Sequence, residues 1–166
     1  MFELIKNASS ADVEFIKQIE IESDLSSWTK EDYYSEIKRA DSIFFVATEN
    51  EEVVGFIIAR LIMNKENFSQ YSENESENDI EIYNLAVNKG FRQRKIGSKL
   101  LAKVIESATE NNIAKIHLEV RKSNTAALDF YRKNSFEITG ERRNFYRNPT
   151  EDAVLMCRFL ASGKNV

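Results

Sequence analysis

The stretch Asn84-Leu-Ala-Val-Asn-Lys-Gly-Phe-Arg-Gln-Arg-Lys-Ile-Gly-Ser-Lys-Leu-Leu101 decides the fold, because it joins a short apolar strand to an amphipathic helix through a basic turn. If the helix begins near Ile96, the amides of residues 93–98 have no helical acceptors and lie at the positive end of the helix dipole. Three basic side chains stand beside them, namely Arg92, Arg94 and Lys95. Taken alone, the pattern fits phosphate binding and a helix start with solvated charges equally well.

The composition is that of one globular domain. With 166 residues, 42% of them hydrophobic and 30% charged, the chain can bury one core, so we expect a single domain over residues 1–166. The absence of a signal-peptide pattern and of a bilayer-length apolar run predicts a cytoplasmic protein without membrane attachment. A net charge of −4 does not favour nucleic-acid binding.

Cysteine and histidine are too few for a disulfide or a zinc site. The single cysteine is Cys157 and the single histidine is His117, so we expect no metal. The sequence gives no indication of oligomeric state.

Apolar periodicity before the opening stretch predicts a strand, two helices and three further strands. Ser9 or Ser10 would cap the first helix, and Thr29 with Asp32 would cap the second. The polar, acidic residues 64–78 predict a loop. The predicted strands are 2–5, 42–48, 53–63 and 79–87, and the predicted helices are 12–21 and 29–40.

The second half alternates helices and strands. A helix from Ile96 should end at Asn111-Asn112, because asparagine tolerates the left-handed backbone of a helix end. Strand 115–120 should bury one face and carry His117 and Glu119 on the other. A helix over 125–134, capped by Ser123-Asn124, and strands 136–139 and 153–160 complete a mixed α/β (α+β) fold around one sheet.

Two segments resemble the GNAT superfamily of N-acetyltransferases. Arg92, Lys95 and Gly97 occupy the three positions of its motif, which is Gln or Arg, two residues, Gly, one residue, then Gly or Ala. The second segment is Leu118-Glu-Val-Arg-Lys-Ser-Asn-Thr-Ala-Ala-Leu-Asp-Phe-Tyr131. With Arg142-Arg-Asn-Phe-Tyr146 downstream, it is similar to the RimI branch, whose members acetylate the N-terminal alanine of a small-subunit ribosomal protein.

The resemblance implies a single-domain GNAT fold with a central, mixed, mostly antiparallel sheet flanked by helices. Two strands, one with Leu85 to Val87 and one with Glu119, would splay apart to form a slot for coenzyme A. Acetyl-CoA is the implied cofactor. The implied cofactor-binding residues are Leu85, Ala86 and Val87 through their backbone, the turn residues Arg92, Gln93, Arg94, Lys95, Ile96, Gly97 and Ser98, and Asn124. Lys95 departs from the motif's glycine, so it either adopts the same dihedrals or loosens the grip on the diphosphate.

The same resemblance implies a base and an acid. Glu119 would take the proton of the acceptor amine, directly or through water, and Tyr131 would protonate the coenzyme A sulfur. Each has a structural alternative: Glu119 as a surface carboxylate paired with Arg121 or Lys115, and Tyr131 as a helix-core aromatic. Asn124 is equally explained as a helix cap.

Cys157 could in principle carry the acetyl group covalently. It lies in an apolar strand without a histidine neighbour in sequence, and isolated buried cysteines are usually inert, so we expect direct transfer. His117 is expected to be a strand surface residue.

Three aromatic residues are candidates for the acceptor site, namely Trp28, Tyr83 and Tyr146. Trp28 matches a tryptophan of the RimI branch, although the usual preceding proline is Ser27 here, and it could simply anchor its loop. An acidic loop over 66–79 could attract a basic peptide. The implied function is acetylation of a protein N-terminus, such as that of a ribosomal protein. A small-amine or lysine acetyltransferase and a non-catalytic acyl-CoA-binding regulatory module are the alternatives.

Overall fold

The computed structural model describes residues 4–23, 25, 28–63 and 78–160, and the strands and helices of these residues follow the predicted order. The strands are β1 (Leu4–Asn7), β2 (Ser42–Glu49), β3 (Glu52–Met63), β4 (Asn78–Val87), β5 (Lys115–Arg121), β6 (Glu137–Arg147) and β7 (Thr150–Phe159). The helices are α1 (Val13–Glu22), α2 (Lys30–Ile37), α3 (Ile96–Glu110) and α4 (Thr125–Lys133).

The strands form one sheet in the order β1-β2-β3-β4-β5-β7-β6. β4 and β5 are parallel, whereas the pairs β1–β2, β2–β3, β5–β7 and β6–β7 are antiparallel. The predicted mixed, mostly antiparallel sheet is therefore confirmed. In the described part of the chain, none of the helices α1 to α4 contains an apolar stretch long enough to span a bilayer.

Four predicted boundaries were wrong, and one of them is the start of β7, which lies at Thr150 instead of residue 153. Strand β1 ends at Asn7 instead of residue 5, and α2 ends at Ile37 instead of residue 40. The prediction of strand 136–139 missed most of β6, because β6 is an edge strand whose exposed, charged side chains do not alternate with apolar ones. The predicted acidic loop lies outside the described residues over 64–77.

Contacts divide the chain into two compact units, the first comprising Met1–Leu61 and Tyr83–Ser107. Thr29 caps α2 in a capping box with Asp32, as predicted, whereas Ser9 forms a capping box with Asp12 at the short 3₁₀ turn Ser10–Asp12 that precedes α1. Helices α1 and α2 pack on β2 and β3 through a common apolar core. Core members include Val13, Ile16, Ile19, Tyr33, Phe44, Val46, Phe56 and Ile58.

Gly55 of β3 is a point of close approach in this unit. A Cβ atom there would lie 3.0 Å from the carbonyl oxygen of Ala86, 3.2 Å from Ile96 Cγ2 and 3.3 Å from Leu100 Cδ1. The missing side chain therefore lets β4 and α3 approach β3 closely. These are the two elements that hold the basic turn at its ends.

The second unit comprises Ile62–Ile82 and Ala108–Val166, with β5 at its centre. β5 buries Ile116, Leu118 and Val120, as the alternation predicts. Its parallel register with β4 ends at the pair Ile82–Leu118, whereas its antiparallel register with β7 continues to Arg121. Glu119 is therefore the first residue of β5 beyond the register with β4.

We expect Gly55→Ala to lower the free energy of unfolding by about 1–3 kcal/mol, because the new methyl group meets a backbone oxygen that cannot rotate away. Equilibrium urea unfolding measures this. Gly140→Ala is the matched control, since its Cβ would meet only the flexible Leu155 side chain at 3.3 Å. Equal stability of the two variants would contradict the close approach at Gly55.

Candidate active site

The basic turn is anchored to the end of β4 in the first unit. The N–H of Asn88 donates to the carbonyl of Val54 at 2.9 Å, and the Asn88 side chain accepts from the N–H of Gly90 at 2.9 Å. Arg92 Nε donates back to the carbonyl of Val87 at 3.1 Å. The turn that follows β4 thus has its own hydrogen-bonded frame.

Two residues of the turn have a left-handed backbone. The φ angles of Gln93 and Lys95 are both 63°, and both side chains are exposed. Lys95 therefore adopts the region that the motif's glycine favours, with its side chain turned to solvent, which is the first of the two predicted alternatives. Backbone reversals of this kind occur in turns whose successive N–H groups bind anions.

Positive charge surrounds the start of α3. Helix α3 begins at Ile96, as predicted, so its first N–H groups have no acceptor within the helix. Arg92 is exposed, and its guanidinium lies 3.4 Å from Ser23 Oγ. Arg94 forms an ion pair of 2.7 Å with the buried Glu49, so part of its charge is already balanced. The donor set suits a diphosphate, which is chelated well by backbone N–H groups and arginines.

The end of β4 holds the three residues that are predicted to contact the acetyl and pantetheine groups. Ala86 is buried, whereas Leu85 and Val87 are half-buried. Their role in binding remains a prediction.

Two of the predicted acceptor residues meet around Arg60 in the first unit. The Arg60 guanidinium lies 4.5 Å from the ring centre of Tyr83 and 5.7 Å from that of Trp28. Its Nε donates to buried Glu36 at 2.9 Å. The Trp28 ring also packs on Tyr33, with centroids 5.3 Å apart, so the predicted loop-anchoring role of Trp28 is present as well.

The sequence analysis did not predict that Arg60 joins these two aromatic residues. A lone arginine within the apolar run of β3 could have indicated it. A cavity of about 410 Å³ opens beside its guanidinium. The lining residues are Trp28, Asp32, Ser35, Glu36, Arg39 and Arg60.

Glu119 lies in the second unit in an ion pair with Arg142, whose Nη1 is 2.9 Å from Glu119 Oε1. The Glu119 side chain is 16% exposed and that of Arg142 is 58% exposed. Burial raises the pKa of Glu119, the charge of Arg142 opposes this rise, and the charge of Glu81 adds to it. The predicted alternative partner Arg121 is wrong, because Arg121 pairs with Glu151.

Tyr146, the third predicted acceptor residue, lies in a group with Glu119, Arg121 and Arg142 that is called the Glu119 cluster below. The Arg121 guanidinium lies 4.2 Å from its ring centre and also donates to the carbonyl of Asn148 at 3.1 Å. Burial and the charge of Glu119 raise the pKa of the Tyr146 hydroxyl. The structure therefore brings together Tyr146 and the predicted base.

Tyr131 and Asn124 occupy the two ends of the α4 segment. Tyr131 is 7% exposed and packs edge-on against Phe130 and Phe136. Burial raises the pKa of its hydroxyl, so the group keeps its proton at neutral pH. The Asn124 side chain accepts from the N–H of Ala127 at 3.1 Å, which confirms the helix cap. Their contacts with the cofactor remain predictions.

Cys157 has a histidine neighbour that its sequence context does not show. The β5–β7 register places it directly opposite His117, whose Nε2 lies 2.9 Å from Asp79 Oδ2. Burial raises the pKa of the Cys157 thiol, and the charge of Asp79 adds to the rise. The reactive thiolate is therefore disfavoured at this position.

Known proteins share this fold and sequence pattern. Residues 13–136 match the family model of the acetyltransferase (GNAT) family. The chain is 30% identical over 153 residues to an N-alpha-acetyltransferase of Sulfurisphaera tokodaii, covering 92% of this chain and 90% of the relative. It is 28% identical over 116 residues, 68% of each chain, to the ribosomal protein bS18-alanine N-acetyltransferase of Escherichia coli K12.

Solved structures agree with the fold. The crystal structure of the ribosomal-protein-S18-alanine N-acetyltransferase from Escherichia coli superposes with a TM-score of 0.81, covering 99% of both chains at 23% identity.

The chain belongs to the acetyltransferase (GNAT) family. The predicted enzyme class, an N-acetyltransferase, is confirmed, and acetyl-CoA is its acetyl donor. The predicted similarity to the RimI branch is confirmed too, since the proteins similar in sequence include ribosomal-protein alanine N-acetyltransferases.

We expect Lys95→Val to weaken coenzyme A binding about fivefold or more relative to Lys95→Gly, because a β-branched residue is strained in the left-handed backbone. Both variants lose the charge of Lys95, so the ratio of their coenzyme A dissociation constants reports the backbone strain at this position. Isothermal titration calorimetry with coenzyme A measures both dissociation constants. Equal affinities of the two variants would show that the left-handed turn is not the bound conformation.

Proposed function

We propose that the protein transfers the acetyl group of acetyl-CoA directly to the α-amino group of a protein N-terminus, with ribosomal proteins as the first acceptors to test. The observation that carries the proposal is the partly buried carboxylate of Glu119 beside Tyr146. Similar proteins named for N-terminal acetylation support the choice of acceptor.

The basic turn is proposed to hold the diphosphate of the cofactor. Arg92 and Arg94 would supply mobile charge, and the backbone of residues 93–98 would supply N–H donors. The backbone of residues 85–87 and the side chain of Asn124 would contact the rest of the cofactor. The bound cofactor contributes an acetyl group activated as a thioester.

Glu119 is proposed to accept the proton of the acceptor amine, directly or through one water. A neutral amine can then form its new N–C bond to the acetyl carbon while the C–S bond breaks. The Tyr131 hydroxyl would give its proton to the departing sulfur. Burial raises the pKa of Glu119 and so makes it a stronger base than an exposed carboxylate, which suits the task.

Direct transfer is favoured over a covalent acetyl-enzyme on Cys157. The thiol is buried, and burial raises its pKa, so a step that needs a thiolate would be slow. His117 lies opposite Cys157, but its Nε2 is engaged with Asp79.

The acceptor peptide is proposed to contact Trp28, Tyr83 and Tyr146. Tyr83 is exposed and stacks with Arg60, so it can offer a flat aromatic face to a peptide. We further propose that residues 1–166 act as one acetyltransferase domain and that the protein works in the cytoplasm, where ribosomal N-termini are made.

Acetylation of a defined panel tests the proposal. The purified protein is incubated with acetyl-CoA and peptides that offer a free α-amine, a lysine with a blocked N-terminus, or neither, together with polyamines. Mass spectrometry then locates the acetyl group. Acetylation of the α-nitrogen supports the proposal. Modification of lysine or polyamines alone would favour the alternative acceptors, and coenzyme A binding without any product would favour a regulatory module.

We expect Glu119→Gln and Tyr131→Phe each to lower turnover by about 10²–10⁴-fold, because each removes one proton-transfer group. Their affinity for coenzyme A should stay near that of the wild type. Steady-state kinetics and calorimetry measure the two quantities separately. Unchanged turnover in either variant would remove that residue from its proposed role.

We expect Tyr83→Ala to raise the KM for the acceptor peptide by about threefold or more without changing the KM for acetyl-CoA, because it removes an exposed aromatic face. Phe15→Ala is the matched control, since Phe15 and Tyr83 are both 42% exposed. Initial-rate kinetics with each substrate varied in turn measure the effect. The same change in both variants would contradict the acceptor role of Tyr83.

A further inference from the structure

Arg142 is the charged group that contacts the proposed base. Its guanidinium stands 2.9 Å from Glu119 Oε1, so the ion pair is direct. The other groups around Glu119 come from three strands: Glu81 from β4, Tyr146 from β6, and Leu155 opposite it on β7. Among these described neighbours Arg142 supplies the positive charge.

Nearby charged residues on β5 are committed to other partners. Arg121 pairs with Glu151 and stacks on Tyr146, and His117 lies against Asp79. The charge balance at Glu119 therefore depends chiefly on Arg142.

The backbone of β6 holds Arg142 at this position. Arg142 pairs with Ala153 of β7, and the register then shifts before the next pair, Tyr146 with Glu151. Within this irregularity Asn144 has a φ of 52°, and its N–H donates to Asp152 Oδ1 at 2.9 Å. Bulges of this kind redirect side chains at sites, and here Arg142 and Tyr146 flank the bulge on the Glu119 cluster.

We infer that Arg142 is a positioning residue that selects α-amines over lysine side chains, by fixing the Glu119 carboxylate and placing a positive charge where the acceptor nitrogen must arrive. The inference rests on the proposed function and deepens it by naming what restricts the acceptor. A guanidinium beside the base repels a cationic ammonium group and tolerates a neutral amine.

The two amine classes differ in how often they are neutral. A protein α-amine has a pKa of about 7.7–8.0, whereas a lysine side chain has one of about 10.4, so at neutral pH only the α-amine has a sizeable neutral fraction. Arg142 also opposes the rise that burial causes in the pKa of Glu119, so the carboxylate is a weaker base than burial alone would make it. The repulsion of cationic amines and the weakened base both favour α-amines over lysine side chains.

The test combines a titration with a selectivity measurement on Arg142→Gln, Arg142→Lys and the neighbouring Arg143→Gln. Carbon-13 NMR follows the Glu119 side-chain carboxyl, which is assigned by comparison with Glu119→Gln. We expect Arg142→Gln to raise the Glu119 pKa above the wild-type value, because the charge that favours the ionised carboxylate is lost. Arg142→Lys and the control Arg143→Gln should keep it near the wild-type value.

Selectivity is the ratio of kcat/KM for a peptide with a free α-amine to that for a lysine peptide with a blocked N-terminus. We expect this ratio to fall about threefold or more in Arg142→Gln and to recover in Arg142→Lys. An unchanged ratio, or an unchanged Glu119 titration in Arg142→Gln, would overturn the inference. If the wild type acetylated no α-amine at all, the proposed function would fail instead, whatever the titration showed.

Discussion

The parallel pairing of β4 with β5 is the constraint on which the rest of the structure depends. Parallel neighbours cannot be joined by a tight turn, so the chain must cross over, and α3 makes this crossing. The crossover must begin where β4 ends, which places the basic turn and the N-terminus of α3 directly after Val87. Gly55 makes room for it, since a side chain there would press on Ala86 and on α3. An element that the topology requires thus also becomes the candidate diphosphate site.

The proposed chemistry of the second unit depends on a balance of burial and charge at one carboxylate. Removing Glu119 from water favours its protonated form, and Glu81 works in the same direction. The charge of Arg142 opposes both effects. Its guanidinium is in direct contact with the Glu119 carboxylate, although the Arg142 side chain is largely exposed. A carboxylate whose pKa is too low is too weak a base to accept the proton, and one whose pKa is too high is already protonated at neutral pH. If Glu119 is the base, the ion pair with Arg142 limits how far burial and Glu81 raise its pKa.

Local patterns predicted most of the fold. The Thr29–Asp32 cap, the start of α3 at Ile96 and the alternation of β5 depend on residues that are close in sequence, and all three are confirmed. The predicted site residues came from the GNAT resemblance, but the side chains that contact them could not be predicted from it. The contact of Arg142 with Glu119 and the pairing of Cys157 with His117 follow from strand register, which distant parts of the chain set together. The length of β6 was missed because an exposed edge strand lacks the apolar alternation that reveals a buried one.

N-terminal proteomics of the producing cells tests the central claim most directly. The account predicts that one or a few protein N-termini lose their acetyl group when this protein is absent. Wild-type protein should restore the modification, whereas the Glu119→Gln variant should not, although it is present at the same level. Unchanged N-terminal acetylation in the absence of the protein, or full restoration by Glu119→Gln, would contradict the account.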